Sequence, residues 1–181
     1  RISGANATEN HLENNAIGTN LDGNQKQGNS GAGVQLDDGA ARNTIGGTAT
    51  SMPNTIAFNG TSGILVLAGD RNSFRQNRLF ENVGRGITLA PGANAGIPAP
   101  VLTQATTGGS ASVLQGTLTG ARPATTYILE IFSNTGTEQV DGVTTSEGRT
   151  FISSQNVTTD ASGHAEINLT TTAITLGQYV T

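Results

Sequence analysis

The side chains that could do chemistry in this sequence fall into a few groups. Asp37-Asp38 is the only adjacent acidic pair, and Asp70 is the best placed further acid. Two carboxylates can protonate a leaving oxygen and activate water on a sugar, provided they stand several Å apart on neighbouring strands. Asn20, Asp22 and Asn24 form an N-x-D-x-N run resembling half a calcium loop. Calcium takes about six to eight oxygens, so a single carboxylate would bind it weakly. Arg42, Arg71, Arg75, Arg78 and Arg85 are the one cluster of cations. Guanidinium groups hold carboxylates or sulfates through paired hydrogen bonds. His11 and His164 are the only imidazoles, with no third metal ligand evident for either. With no cysteine, thiolate catalysis, thiolate zinc sites and disulfides are excluded. Neither a phosphate loop nor a dinucleotide fingerprint occurs. Each group also suits a plain structural role: a solvated turn pair, turn chemistry, or local charge balance with Glu9, Glu13 and Glu81.

The elements that must position these residues come from a chain of two compositions. Its 181 residues carry a net charge of −4, and only 12% are charged, against about 25% in an average globular protein. No basic excess points to nucleic acid, and no apolar run approaches the ~18 residues of a transmembrane helix. Asparagine is dense up to residue 82 and sparse beyond, while threonine rises from 8 in residues 1–98 to 19 in residues 99–181. Between the two halves, Pro91–Pro100 holds three prolines and two glycines, the mark of a loop. The expected organisation is a repeat domain over 1–92, a linker over 93–100 and a second domain over 101–181.

The first half repeats. Gly33-Val34-Gln35-Leu36 aligns with Gly63-Ile64-Leu65-Val66 and Gly86-Ile87-Thr88-Leu89. Asn10, Asn43 and Asn72 form a second column, Asn15, Asn54 and Asn77 a third, and Asn20, Asn59 and Asn82 a fourth. Apolar residues follow the asparagines two positions on, and the five-residue spacing does not fit a helical period. Short strands separated by corners fit it better, with Leu12, Ile45 and Phe74 in one interior column and Ile17, Ile56 and Leu79 in another. Leu36, Val66, Val34, Ile64, Ile87 and Leu89 complete the expected core. Corner asparagines tolerate left-handed backbone, and their amides can bond to the next turn of the coil. Leu21–Ala32 and Gly46–Pro53 are insertions expected to protrude.

This repeat resembles the right-handed parallel β-helix of pectate-lyase-like proteins. Asn15-Ala16-Ile17-Gly18-Thr19-Asn20-Leu21-Asp22-Gly23 and Asn43-Thr44-Ile45-Gly46-Gly47-Thr48 look like motifs of large bacterial secreted or surface proteins. The resemblance implies an extracellular or cell-surface location, and β-sandwich modules after the β-helix. It also raises polysaccharide lyase or glycoside hydrolase activity as the alternative function. The family's Gly-His-Gly is absent, and the positions aligned beside Asp37-Asp38 are Leu67-Ala68 and Ala90-Pro91, which offer no partner acid. Calcium would be the cofactor of a lyase; otherwise none is expected.

The second half alternates. Val113–Leu118, Thr126–Phe132, Thr150–Ser153, Ala165–Leu169 and Gln178–Thr181 read as strands separated by turn signals, a pattern similar to immunoglobulin-like β-sandwich modules. The fold expected is all-β, with about three to four rungs of right-handed parallel β-helix followed by a β-sandwich. Both ends fall inside strand patterns, which reads as a fragment of a longer polypeptide, open to edge-to-edge self-association. The sparse charge and isolated acids favour a non-catalytic structural or adhesive segment, with a polysaccharide or cell-surface glycan as partner.

Overall fold

The computed structural model describes residues 1–140 and 143–181, and it is all-β with both parallel and antiparallel sheets. Contacts divide the chain into two units: residues 1–96 with 136–149, and residues 97–135 with 150–181. The division falls inside the proline- and glycine-rich stretch and returns a later segment to the first unit.

The first ten strands are β1 (Ile2–Ser3), β2 (His11–Leu12), β3 (Ala16–Ile17), β4 (Val34–Asp37), β5 (Thr44–Gly46), β6 (Thr55–Ala57), β7 (Ile64–Val66), β8 (Ser73–Arg75), β9 (Arg78–Phe80) and β10 (Ile87–Leu89). They form three parallel sheets, β1-β4-β7-β10, β2-β5-β8 and β3-β6-β9, so every third strand joins the same sheet. The register matches the sequence columns: Ile64 pairs with Val34 and Ile87, Ile45 with Leu12 and Phe74, and Ile56 with Ile17 and Leu79. Val34, Leu36, Ile45, Ile56, Ile64, Val66 and Leu79 form the buried core, with Leu12, Ile17, Phe74 and Leu89 half-buried against it. Ile87 departs from expectation and is 40% exposed, because β10 ends its sheet and only β7 flanks it.

The corners hold two corrections. The third asparagine column is Asn29, Asn59 and Asn82; Asn20 is not part of it. The left-handed residue is not the asparagine but the one before it: Glu9, Arg42 and Arg71 in one column, Asn14 and Gln76 in another, Phe58 and Glu81 in a third, all with φ of 53–61°. The column glycines are there for close approach: a Cβ on Gly33 or Gly63 would lie 2.8 Å from the carbonyl oxygen of the glycine one circuit on.

The insertion Leu21–Ala32 is exposed along most of its length yet tied back. Thr19 and Lys26 form an antiparallel bridge, Gln27 donates its N–H to the Gly18 carbonyl, and Gly60 donates to Asn29. The second insertion closes as a turn, with Met52 donating to Ala49 and accepting from the Asn14 N–H.

The remaining strands are β11 (Val101–Gly108), β12 (Ala111–Leu118), β13 (Thr126–Asn134), β14 (Glu138–Val140), β15 (Val143–Thr145), β16 (Thr150–Thr158), β17 (Ala165–Thr172) and β18 (Tyr179–Val180). In the second unit two antiparallel sheets, β11-β12-β17 and β16-β13-β18, contribute Leu114, Leu118, Ile167 and Leu169 from one and Ile131 and Val157 from the other to a single apolar cluster. β11 lies at a sheet edge with only Leu102 partly buried, which is why no alternation marks it in the sequence. The β14–β15 pair belongs to the first unit.

Candidate functional site

Asp37 closes β4 with a side chain only 5% exposed. Its Oδ2 accepts from Arg1 Nε at 2.7 Å and from Gln35 Nε2 at 2.7 Å, while its Oδ1 is buried without a hydrogen-bond partner. Asp38 is exposed in a left-handed turn (φ 50°), and its Oδ2 accepts from Ser3 Oγ at 2.7 Å and Arg1 Nη2 at 3.2 Å. The Arg1 guanidinium, foremost, holds the Asp37 carboxyl down to about 2, against the opposite push of burial. A carboxylate held this way is a poor proton donor at neutral pH, because it stays ionised. Asp70 lies elsewhere, half-exposed and 3.6 Å from Arg71 Nε. The structure therefore gathers Asp37 and Asp38 around one arginine and sets Asp70 beside another. Among the described residues no hydrogen bond or ion pair links Asp70 to either of the first two.

The five arginines of the cluster spread around the circuit. Arg42 and Arg71 precede β5 and β8 at equivalent corners, and the Arg42 N–H donates to the Asp70 carbonyl one circuit on. Arg42 Nε donates to Glu9 Oε1 at 3.3 Å, so each member of this pair already has an exposed carboxylate neighbour. Arg75 ends β8 in register with Gly46, which separates it from Glu13. Arg78 opens β9, with its guanidinium 5.6 Å from the Phe80 ring and its Nε donating to the Arg149 carbonyl at 3.4 Å. Arg85 is exposed ahead of β10. Only Arg42 and Arg71 are brought side by side.

The calcium-like loop is a turn. Asn20 Oδ1 accepts from the N–H groups of Asn24 and Gln25, at 3.0 and 3.1 Å, and Asn20 Nδ2 donates to Asn24 Oδ1 at 2.9 Å. Both amide oxygens are engaged and Asp22 supplies the one carboxylate, so this donor set does not fit calcium's coordination. Among the described residues no three His, Asp or Glu gather as a metal site. His11 Nδ1 lies 3.3 Å from Glu13 Oε1; His164 contacts Glu166 at 3.1 Å and Thr119 at 3.1 Å.

The most developed polar construction is one the functional candidates do not include. Asn10 donates its N–H and Nδ2 to Asn43 Oδ1, Asn43 does the same to Asn72, and the Asn72 N–H donates to Asn94. Asn15, Asn54 and Asn77 form a second ladder, and Asn29, Asn59 and Asn82 a third. The third ends on a glutamate: the Asn82 N–H donates to Glu147 Oε1 at 2.7 Å, and Asn82 Nδ2 to Glu147 Oε2 at 2.6 Å. Asn29 carries a sequence signal, since Asn29, Asn59 and Asn82 each stand four residues before Gly33, Gly63 and Gly86. Glu147 carries no such signal, being 65 residues from its partner. No family model matches this sequence, and no curated protein matches it.

Proposed function

We propose that the chain is a non-catalytic, structural segment of a secreted or cell-surface protein. In this reading a short right-handed parallel β-helix carries an immunoglobulin-like β-sandwich, and exposed arginine pairs give weak contact with acidic glycans. The recurrence of each sheet every third strand supports the coil, and consecutive parallel strands of one sheet connect right-handed in about 98% of cases. The observation that carries the non-catalytic reading is the fate of the acids: Asp37 and Asp38 are neutralised by Arg1, and Asp70 by Arg71. Arg42 and Arg71 support the glycan contact, because their carboxylate neighbours are exposed and such pairs contribute only ~0–1 kcal/mol each, so a ligand carboxylate can replace them.

The test is incubation with polygalacturonate, alginate and neutral glycans, with and without calcium, followed by assay of unsaturated and reducing ends. No turnover is expected. Acidic oligosaccharides should bind in roughly the millimolar range, with binding lost at high salt and in Arg42→Ala/Arg71→Ala. Turnover abolished by Asp38→Asn would overturn the reading in favour of a lyase or hydrolase.

A further inference from the structure

Asn59-Gly60 is the only Asn-Gly pair in the sequence. An asparagine before glycine is the one most prone to lose its side-chain amide, because glycine has no Cβ to hinder attack by its backbone nitrogen. The fold places this pair inside. Asn59 is 0% exposed and stands in the middle of the third ladder. Its Oδ1 accepts from the N–H and Nδ2 of Asn29, and its Nδ2 donates to Asn82 Oδ1 at 2.8 Å and to the Ala57 carbonyl at 3.1 Å. The Gly60 N–H, the group that would attack, donates to the Asn29 carbonyl at 2.8 Å. Both reacting groups are thus held by neighbouring circuits, and the amide is out of reach of water.

We propose that Asn59 is a deamidation site guarded by the fold, and that its conversion blocks re-formation of the first unit. Once the circuit around it opens, the Gly60 nitrogen attacks Asn59 Cγ. The Cγ–Nδ2 bond breaks, and ammonia leaves with the proton that the Gly60 nitrogen gives up. Water then opens the cyclic imide at either carbonyl, leaving an aspartate or an isoaspartate. The step needs no reactant but water.

Neither product fits the ladder. A carboxylate at this position still accepts from Asn29, but the atom replacing Nδ2 is an oxygen set against Asn82 Oδ1 and the Ala57 carbonyl oxygen. Two donor–acceptor contacts become contacts between acceptors, and a charge enters a fully buried position. An acceptor-only carboxylate suits the end of the ladder, where Glu147 takes both donors of Asn82, and not its middle. The isoaspartate also lengthens the main chain between β6 and β7, whose strands pair residue for residue with the circuits beside them. The inference is independent of any glycan binding.

The experiment holds the full chain in mildly alkaline buffer, folded and in urea above its unfolding transition, and follows the Asn59 peptide by mass over time. The folded chain should lose the amide about a thousandfold or more slowly than the unfolded one, because reaction waits on a rarely populated open state. Samples taken from urea are then refolded, and hydrogen exchange is read at the Asn54 and Asn82 amides. Chains with Asn59 intact should recover slow exchange, while converted chains should stay fast-exchanging. Asn59→Asp, which bypasses the chemical step, should also stay fast-exchanging without any time in urea. Equal rates of conversion in the folded and unfolded chain overturn the proposal. So does full recovery of slow exchange by converted chains or by Asn59→Asp.

Discussion

In the first unit Asn43, Asn54 and Asn59 are fully buried, and Asn72, Asn77 and Asn82 nearly so; in the second, the buried polar side chains are mostly hydroxyls, Ser112, Ser133, Thr159 and Thr171. The difference follows from symmetry. When chemically equivalent positions repeat along a stack, one amide accepts from the circuit before it and donates to the circuit after it, so a buried amide is satisfied by copies of itself. An antiparallel unit has no such repeat, and its buried polar groups are mostly hydroxyls, which bond backbone groups rather than copies of themselves. Ser112 Oγ accepts the Ile174 N–H at 2.9 Å, and Thr159 Oγ1 donates to the Arg122 carbonyl at 2.6 Å. Polar burial is therefore part of the framework in one unit and a minor adjustment in the other.

The sharpest way to break that contrast is to replace one buried polar group in each unit. Asn54→Leu keeps the branched shape but removes the acceptor for the Asn15 N–H and Nδ2 and the donor to the Leu12 carbonyl. With several groups stranded, at about 1–3 kcal/mol each, the expected loss is roughly 3–5 kcal/mol. Ser112→Ala strands only the Ile174 N–H, for about 1–2 kcal/mol. The two can be read separately, because both tyrosines, Tyr127 and Tyr179, and no tryptophan lie in the second unit. Tyrosine fluorescence then follows that unit, while hydrogen exchange at the asparagine amides follows the first. Equal losses in both units would dissolve the contrast.

How much of this was legible in the sequence divides along the same line. The columns of the first unit were readable because identical residues at fixed spacing must meet one circuit apart, and Ile45 between Leu12 and Phe74 shows it. Counted forward from Asn15, Asn20 takes the column's place; twelve residues separate it from Gly33, and the constant spacing runs backward from the glycine to Asn29. Propensity alone places the left-handed residues on the asparagines. In the structure the left-handed residue stands one position earlier, as at Glu9, Arg42 and Glu81. The acids illustrate the rest: the sequence shows Asp37-Asp38, but that Arg1 neutralises both depends on β1 and β4 pairing Ile2 with Leu36. Glu147 as the ladder's end has no local pattern to announce it, because 65 residues of sequence separate it from Asn82.

A smaller effect separates the units by pH. Asp37 in the first unit is held at about 2 by Arg1, below its ordinary 3.8. Asp160 in the second is lowered by the Ser162 hydroxyl first, and by the Ser162 and His164 N–H groups. A carboxyl lowered on folding adds stability above its unfolded value and loses it as pH falls through the folded value. For Asp37 that window runs from about pH 4 down to about pH 2. Asp37→Asn should flatten the acid limb of stability in the first unit without moving the tyrosine-monitored limb, and Asp160→Asn should do the reverse. An acid limb of the first unit unchanged by Asp37→Asn would show that the Arg1 contact is not kept in solution.

The smallest expected effect tests where backbone strain is stored. Among the described residues, ten of the eleven non-glycine residues with positive φ lie in the first unit, and Ala124 alone in the second. Seven of the ten stand just before a ladder asparagine: Glu9, Asn14, Arg42, Phe58, Arg71, Gln76 and Glu81. A side chain there costs roughly 1–2 kcal/mol relative to glycine, partly offset by the extra freedom glycine has when unfolded. Glu81 has φ 56° and an exposed side chain just before Asn82, so Glu81→Gly should stabilise the first unit by about 0.5–1 kcal/mol. Glu81→Val should destabilise it, because β-branched residues fit that region worst. Ala124→Gly, at φ 47°, should give a similar gain in the second unit, visible in tyrosine-monitored urea unfolding. If Glu81→Gly loses stability while Ala124→Gly gains it, the corner side chains contribute more than their backbone strain removes, and the ladders are held from outside as well as through their amides.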